Sequence, residues 1–224
     1  ERIVLPYLKA GGVRRLDTLL VTHQDNDHAG GAEAVLAGIA VDEVRSSLPE
    51  NHPVRLIAGD RDRPCAAGQG WEWDGVRFAL LHPAADGAAA ASRKSNDVAC
   101  VLRVEAAGRR LLLTSDIEAP SEAALVARDA AALASDVLVV PHHGSRTSST
   151  PAFIAATGPR WVVFPVGYRN RFGHPNDAVW ARWSASGAGM WRTDAGGAIG
   201  FTLGRAEPQP EAARDRAPRY WHGR

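Results

Sequence analysis

Residues 19–31 read LLVTHQDNDHAGG, an apolar run followed by a dense group of polar side chains. The apolar run is long enough for a β-strand, and the two glycines precede an Ala/Glu/Leu segment that is typical of a helix. Loops that follow the carboxyl ends of strands are where α/β folds usually place their chemistry. Imidazole and carboxylate groups are common metal ligands, so this stretch predicts a metal site. The candidate ligands are His23, Asp25, Asp27 and His28.

Two later groups of candidate ligands also follow apolar runs. Asp116 comes directly after the run 109–114, and the pair His142 and His143 comes after 136–140. Taken alone, a loop rich in Asp and Asn is also typical of a solvated turn. Three ligand-bearing loops at predicted strand ends favour a metal centre that is built from all of them.

The composition is that of an ordinary globular protein. The chain has 224 residues, 45% of them hydrophobic and 23% charged, and a formal net charge of +1. No global basic field indicates a nucleic-acid partner, although a metal site can supply local positive charge. We find no apolar run near the ~18 residues that span a bilayer and no signal-peptide pattern, and the start without Met suggests an excised domain. The two cysteines are too few for a disulfide framework, and Cys100 is predicted to be a buried thiol in an apolar run.

Strand patterns alternate with single helices, and hairpins are mixed in, which predicts a layered α/β protein with mixed sheets. Asp74-Gly75 is the strongest hairpin signal, and Thr150-Pro151 is a typical helix start. Residues 54–58 are interpreted as a short strand and 84–95 as a loop. Residues 1–204 are predicted to form one domain, and the Arg-, Pro-, Glu- and Ala-rich residues 205–224 a disordered tail.

Several motifs occur in a specific order along the chain. HxDxDHxGG at 23–31 is followed by TSD at 114–116, PHHGS at 141–145, NRFGHP at 170–175 and RTDAGGA at 192–198. Together they resemble the metallo-β-lactamase superfamily, and more narrowly the C-terminal metallo-hydrolase domain of ComEC-type competence proteins, the DNA-uptake channels of bacterial membranes. The resemblance runs from about residue 4 to 203 and implies an αββα sandwich. That fold usually begins with a strand pair that is not evident before Leu5; without it, one sheet would have an exposed edge.

The resemblance also implies two divalent metal ions and a role for each ligand. His23 and Asp25 would bind one ion, and Asp27 and His28 the other. The remaining ligands would be the bridging carboxylate Asp116 and the last imidazole, His143.

This sequence departs from the wider superfamily at several ligand positions. Asp25 stands where a second His is usual, the later His expected near 94–97 is absent, and Ser115 stands where Gly is usual. Three carboxylates and three imidazoles make a harder site than one rich in His or Cys. We therefore favour Mn²⁺, with Zn²⁺ and Mg²⁺ as the competing ions.

Two ions would activate a water molecule and stabilise an in-line displacement. Asp27 or Asp116 is predicted to orient that water, and His142 or His174 to protonate the leaving oxygen. A backbone-bonded loop histidine is the alternative for His174. The residues predicted to bind substrate are Ser145, Arg146, Thr147 and Asn96, although simple helix capping would equally explain the polar groups at 145–147.

The predicted function is hydrolysis of DNA phosphodiesters, with degradation of the strand that is not taken up. The partners would be single-stranded DNA and the remainder of a membrane channel protein. The chain would be a soluble domain of a bacterial inner-membrane protein, on the periplasmic side. The second hypothesis is hydrolysis of a lactone, thioester or β-lactam by the same ligands. The third is a metal-stabilised domain that guides DNA without catalysis.

Overall fold

The computed structural model describes residues 3–85 and 94–219. The chain divides into two compact units: unit 1 comprises Glu1–Gln69 and His82–Cys100, and unit 2 comprises Gly70–Leu81 and Val101–Arg224. Residues 86–93 of the predicted loop lie outside the described ranges. Within those ranges, no helix has both the length and the apolar character needed to cross a membrane.

Unit 1 is built on a three-stranded parallel sheet in the order β1-β2-β3. Its strands are β1 (Arg15–Val21), β2 (Ala40–Ser46) and β3 (Asp62–Pro64). Its helices are α1 (Val4–Ala10), α2 (Asn26–Ala29), α3 (Ala32–Gly38) and α4 (Pro53–Ala58), with short 3₁₀ turns at Gly59–Arg61 and Ser95–Val98. Among the described strands, β1 and β3 are the two edges of this sheet.

The core of unit 1 forms where the helices cover the sheet. Val21 and Val44 project from the strands and pack with Val35 of α3 and Val54 of α4. Gly38 lies against Leu5 of α1, so closely that an added Cβ would meet the Leu5 side chain at 2.6 Å. Burial of this apolar surface holds β1 in place, and with it the ligand loop that follows.

The prediction of a strand at 54–58 is wrong, because these residues form α4. His52 is the N-cap, and its Nδ1 accepts the backbone N–H of Val54 at 3.2 Å. Pro53 then occupies the first helical position, where its missing N–H costs nothing. Four apolar residues within a five-residue segment fit a strand or a short helix equally well, and the cap decides between them.

Unit 2 contains a seven-stranded mixed sheet in the order β10-β9-β8-β7-β6-β5-β4. Its strands are β4 (Gly70–Trp73), β5 (Val76–His82), β6 (Val101–Ala106), β7 (Arg109–Leu113), β8 (Val137–Val139), β9 (Trp161–Phe164) and β10 (Gly189–Arg192). The helices of this unit are α5 (Ala119–Asp129), α6 (Pro151–Thr157), α7 (Asp177–Ala185), α8 (Thr193–Gly196) and α9 (Ala213–Arg216), with 3₁₀ turns at Ala130–Leu133 and Pro141–Gly144.

Four neighbouring strands of this sheet, β7 to β10, are parallel. The carboxyl ends of parallel strands meet at one edge of a sheet, so the loops after β7, β8 and β9 share that edge. Leu112, Leu138 and Val162 are buried at the centre of these strands. The buried strands therefore position three loops that carry candidate functional residues.

The predicted hairpin at Asp74-Gly75 is confirmed. Asp74 and Gly75 have φ values of 48° and 79°, and β4 pairs antiparallel with β5 across them. Two successive positive φ values give the turn the twist that a two-residue hairpin requires. The N-cap prediction for α6 is also confirmed, since Thr150 Oγ1 accepts the backbone N–H of Phe153 at 3.3 Å.

Disorder is predicted from residue 205 onward, but residues 208–216 include ordered elements and specific contacts. Here β11 (Ile199–Gly200) pairs antiparallel with β12 (Glu211–Ala212), and Ala212 is buried. Trp161 Nε1 donates to the Pro208 carbonyl at 2.8 Å. A composition poor in large apolar residues hid these local contacts, and the predicted domain boundary at 204 stays a prediction.

The expected free thiol at Cys100 is wrong, because Cys65 and Cys100 form a disulfide within unit 1. Cys100 is buried, as predicted. The bond joins the segment after β3 to the residues just before β6. Cys100 N–H also donates to the Thr22 carbonyl at 3.0 Å, so the disulfide is adjacent to the first ligand loop. Two cysteines 35 residues apart with no motif gave no signal of pairing.

We expect replacement of both cysteines by serine to lower the free energy of unfolding by about 3–4 kcal/mol, because the bond closes a long loop in the unfolded chain. Urea unfolding of the Cys65→Ser/Cys100→Ser variant would measure this loss. The control is the wild-type chain in excess reductant, which should match the variant. An unchanged unfolding midpoint would contradict a stabilising role for the bond.

A buried carboxylate holds the start of α6 in unit 2. Glu122 of α5 is fully buried and accepts the backbone N–H groups of Ser149 and Thr150. Burial raises the pKa of Glu122, and the two N–H donors and Arg182 oppose that shift. Arg182 also donates to the Ser149 carbonyl at 2.7 Å. These contacts tie the residues after the His142-His143 loop to two helices.

Glu122→Ala should destabilise the chain by about 2–5 kcal/mol, because two buried N–H groups lose their acceptor. Thermal or urea unfolding would measure the change. Glu72→Ala, at an exposed carboxylate in the same unit, is the matched control and should cost less than about 0.5 kcal/mol. Equal stability of the two variants would show that Glu122 does not hold the loop.

Candidate metal centre

The first ligand group consists of His23, Asp25, Asp27 and His28, on the loop between β1 and α2 and in α2 itself. Thr22 orients both imidazoles: its Oγ1 lies 3.1 Å from His23 Nδ1 and 3.2 Å from His28 Nδ1. The two rings are in contact, with centroids 4.1 Å apart and planes inclined by 44°. His23 is fully buried, so its ring has little freedom to turn.

The carboxylates of this group lie beside the other ring nitrogens. Asp25 Oδ2 is 3.7 Å from His23 Nε2, and Asp27 Oδ2 is 3.9 Å from His28 Nε2. Asp25 is also the N-cap of α2 and accepts a hydrogen bond from Ser95 Oγ at 2.6 Å. The sequence therefore places the four ligands as two imidazole–carboxylate pairs.

The donor set of the first ligand group fits a divalent cation. A hydroxyl oxygen can accept from two N–H groups, so Thr22 can hold both rings with the proton on Nδ1. Each Nε2 would then point a lone pair toward a carboxylate, which is repulsive until a cation lies between them. Ligating histidines commonly donate their second N–H to such an outer partner.

Asn96 lies in the 3₁₀ turn beside this group, next to Ser95. Its Oδ1 is buried and finds no hydrogen-bond donor among the described residues. The turn brings the predicted substrate-binding residue to the neighbourhood of Asp25. It supplies no His at this position, as the sequence indicated.

The second ligand group consists of Asp116, His142 and His143, at the carboxyl ends of β7 and β8 in unit 2. His143 Nε2 is 3.3 Å from Asp116 Oδ2, and His142 Nε2 is 3.9 Å from the same oxygen. Asp116 is buried to 4% exposure. His143 Nδ1 lies 2.8 Å from the Pro165 carbonyl. A carbonyl only accepts, so His143 carries its proton on Nδ1 and leaves Nε2 as the ligand atom.

The backbone of this group runs through the left-handed region. His142, His143 and Gly144 have φ values of 49°, 54° and 82°, and Ser115 has 52°. Ser115 thus shows why Gly is usual before the bridging Asp, since a side chain there costs about 1–2 kcal/mol. A Cβ on Gly144 would also meet Pro175 at 2.8 Å and Phe164 at 2.9 Å.

His174 lies beside the second group. Its ring centroid is 6.0 Å from that of His142 and 6.3 Å from that of His143. Burial lowers the pKa of His174. The neighbouring His142 and His143 lower that pKa further, and the negative charge of Asp116 opposes the shift. The lowered pKa reduces the protonated fraction of His174, so this ring is less available as a proton donor. Of the two histidines, His142 is the better candidate for that role.

Glu118 is a functional candidate that the sequence analysis missed. Its Oε1 lies 3.4 Å from His142 Nδ1, and Thr147 Oγ1 lies 3.3 Å from the same nitrogen. The carboxylate can keep the His142 proton on Nδ1 and direct Nε2 toward Asp116. Its position two residues after Asp116 was the available signal, but Glu118 reads as an ordinary helix N-cap.

The predicted substrate residues at 145–147 differ in exposure. Ser145 is buried, and its hydroxyl pairs with Thr147 Oγ1 at 3.0 Å. Arg146 and Thr147 are exposed. Ser145 therefore fits the local-capping alternative, while Arg146 and Thr147 stay accessible to a substrate.

Two curated proteins are similar to this chain over most of its length. The chain is 40% identical over 214 residues to Competence protein ComA of Neisseria gonorrhoeae, which covers 94% of the chain and 29% of that protein. It is 29% identical over 209 residues to ComE operon protein 3 of Bacillus subtilis (strain 168), which covers 90% of the chain and 26% of that protein. The chain thus spans less than a third of either curated relative.

Among solved structures, the chain resembles CmlA, a diiron beta-hydroxylase from Streptomyces venezuelae. The TM-score is 0.53 at 12% identity, over 89% of this chain and 45% of that one. At such low sequence identity, the similarity is evidence for a shared fold alone. The family model described as the metallo-beta-lactamase superfamily matches residues 1–167, which include the HxDxDHxGG, TSD and PHHGS motifs. The predicted metallo-β-lactamase-like α/β fold is confirmed, and the chain belongs to the metallo-beta-lactamase superfamily.

Proposed function

We propose that this chain is the metal-dependent hydrolase domain of a DNA-uptake protein and that it hydrolyses phosphodiesters of the strand that is not transported. The observation that carries the proposal is that imidazole–carboxylate pairs lie at the ends of buried strands, with outer partners that orient the rings. His143 contacts Asp116 in this way, and His23 contacts Asp25. The relatives named for competence support the biological setting.

The proposed ligands are divided between two divalent ions. In this proposal His23 and Asp25 would hold one ion and Asp27 and His28 the other, and Asp116 and His143 would complete the ligand set. The balance of oxygen and nitrogen donors favours Mn²⁺ over Zn²⁺ or Mg²⁺. When bound, such ions lower the pKa of a water and stabilise negative charge on a phosphate.

Side chains of the protein supply the proton transfers. Asp27 is exposed and can accept a hydrogen bond from the attacking water and orient it. As an imidazolium, with Glu118 and Thr147 beside Nδ1, His142 can give its Nε2 proton to the leaving oxygen and remain neutral with its proton on Nδ1. The exposed Arg146 and Thr147 offer donors to the phosphates on either side of the cleaved bond.

The extracytoplasmic side of the membrane fits this domain better than the cytoplasm. The disulfide between Cys65 and Cys100 supports that side, because such bonds persist in oxidising compartments. The chain corresponds to less than a third of its curated relatives. We therefore propose that the remainder of a membrane channel protein is its partner.

The test is cleavage of a 5′-labelled single-stranded oligonucleotide by the purified chain with Mn²⁺. Asp116→Asn and Asp27→Ala should each lower the cleavage rate at least about 100-fold, because each removes a metal ligand. Asp60→Ala, at an exposed carboxylate in unit 1, is the matched control and should keep the wild-type rate. Excess EDTA should abolish cleavage by every variant.

The competing hypotheses give different results in the same assay. Turnover of a lactone, thioester or β-lactam with no cleavage of DNA would contradict the nuclease proposal and favour the second hypothesis, hydrolysis of such a substrate. DNA binding with no turnover of any substrate would favour the non-catalytic domain. Cleavage that survives Asp116→Asn would contradict the ligand assignment.

A further inference from the structure

One loop of unit 2 exposes two large aromatic side chains beside the second ligand group. This aromatic loop, Gly167–His174, follows β9, and its Tyr168 and Phe172 are each 68% exposed. Single exposed apolar residues are common, but two within five residues of one loop mark a contact surface. The sequence motif NRFGHP begins in this loop, and the proposed chemistry uses none of its residues.

Each exposed ring carries a guanidinium over its face. Arg169 Cζ lies 5.2 Å from the Tyr168 ring centroid, and Arg171 Cζ lies 5.1 Å from that of Phe172. No Asp or Glu occurs in the sequence between Pro165 and Asn176. Aromatic faces combined with positive charge that no acidic residue of the same loop offsets are the features that bind unpaired nucleic acid, by stacking of bases and attraction of phosphates.

The loop is held in shape at its second half. Asn170 Oδ1 accepts the backbone N–H of His174 at 2.9 Å, and Asn170 Nδ2 donates to the His174 carbonyl at 2.8 Å. These two bonds close the segment that presents Phe172. A ligand that stacks on Phe172 therefore pays little to order this segment.

A series of ring contacts leads from this surface to the second ligand group. Phe172 stacks on His174 with centroids 5.9 Å apart and planes inclined by 19°. His174 stacks on His143 at 6.3 Å with the same inclination, and His143 contacts Asp116. If a DNA base stacked on the outer face of Phe172, only the rings of Phe172, His174 and His143 would separate that base from the Asp116 carboxylate.

We propose that the aromatic loop binds the bases of single-stranded DNA, with Tyr168 and Phe172 as stacking surfaces and Arg169 and Arg171 as phosphate partners. The inference rests on the proposed function, since it assigns a substrate class to the same site. The bases of a duplex are already stacked and paired, so the loop selects the unpaired strand. Arg169 and Arg171 would exchange their contacts with the rings for contacts with the DNA.

The test is binding of a fluorescein-labelled single-stranded oligothymidylate, followed by anisotropy in EDTA so that no hydrolysis occurs. Tyr168→Ala and Phe172→Ala should each weaken binding about fivefold or more. Tyr7→Ala removes an aromatic that is 77% exposed in unit 1 and should leave binding within about twofold. Phe172→Trp keeps a stacking face and should retain wild-type affinity.

Two further probes separate stacking from charge. An oligonucleotide of the same length with abasic sites has the same phosphates, so it should bind the wild type weakly and the Tyr168→Ala/Phe172→Ala variant equally weakly. Arg169→Gln/Arg171→Gln should reduce the dependence of affinity on salt. Arg205→Gln, at an exposed arginine elsewhere in unit 2, is its control.

Wild-type affinity in the Tyr168→Ala/Phe172→Ala variant would overturn this inference, as would equal affinity for duplex and single strand. If the wild type cleaves DNA and that variant cleaves and binds as well, the inference fails and the proposed function stands. If the wild type binds DNA more tightly than the Tyr168→Ala/Phe172→Ala variant but cleaves none, the inferred binding site stands and the proposed hydrolase function fails.

Discussion

The contact of His142 and His143 with Asp116 depends on a turn with an unfavourable backbone. Two successive histidines and a glycine take positive φ values directly after a buried strand. Non-glycine residues pay about 1–2 kcal/mol each for this conformation, so surrounding contacts must maintain it. His142 N–H donates to the Ser115 carbonyl at 3.0 Å, and Ser148 Oγ donates to that of Pro141 at 2.8 Å. An extended continuation of β8 would instead send successive side chains to opposite faces.

Both ligand groups follow the same physical logic within their own units. A parallel strand ends, a short loop presents imidazoles, and an outer oxygen binds each Nδ1 so that Nε2 is the available atom. The outer oxygen is Thr22 Oγ1 in unit 1 and the Pro165 carbonyl in unit 2. These partners lie in loops adjoining β1 and β9, so the sheets that form the cores also determine the tautomers. Stability and chemistry are therefore coupled through the same strands.

Sequence reasoning was strongest where local chemistry determines the backbone. The Asp74-Gly75 turn and the Thr150 cap depend on neighbours in the chain, and both formed where expected. It failed where distant residues decide the outcome, as in the pairing of Cys65 with Cys100. Glu118 was missed by the sequence analysis for the same reason, because the contact of Glu118 with His142 depends on the pairing of β7 with β8. Composition likewise misjudged residues 208–216, where a few specific contacts outweigh low hydrophobicity.

Calorimetric titration of the metal-free chain with Mn²⁺ tests the central claim most directly. Two equivalents should bind per wild-type chain, because one ligand set serves two ions. His23→Ala and His28→Ala each remove a ligand of a different ion, so each variant should retain one tight equivalent. Replacement of His52, which caps α4 through Nδ1, by asparagine is the control and should leave two. Fewer than one equivalent bound by the wild type would contradict a binuclear centre.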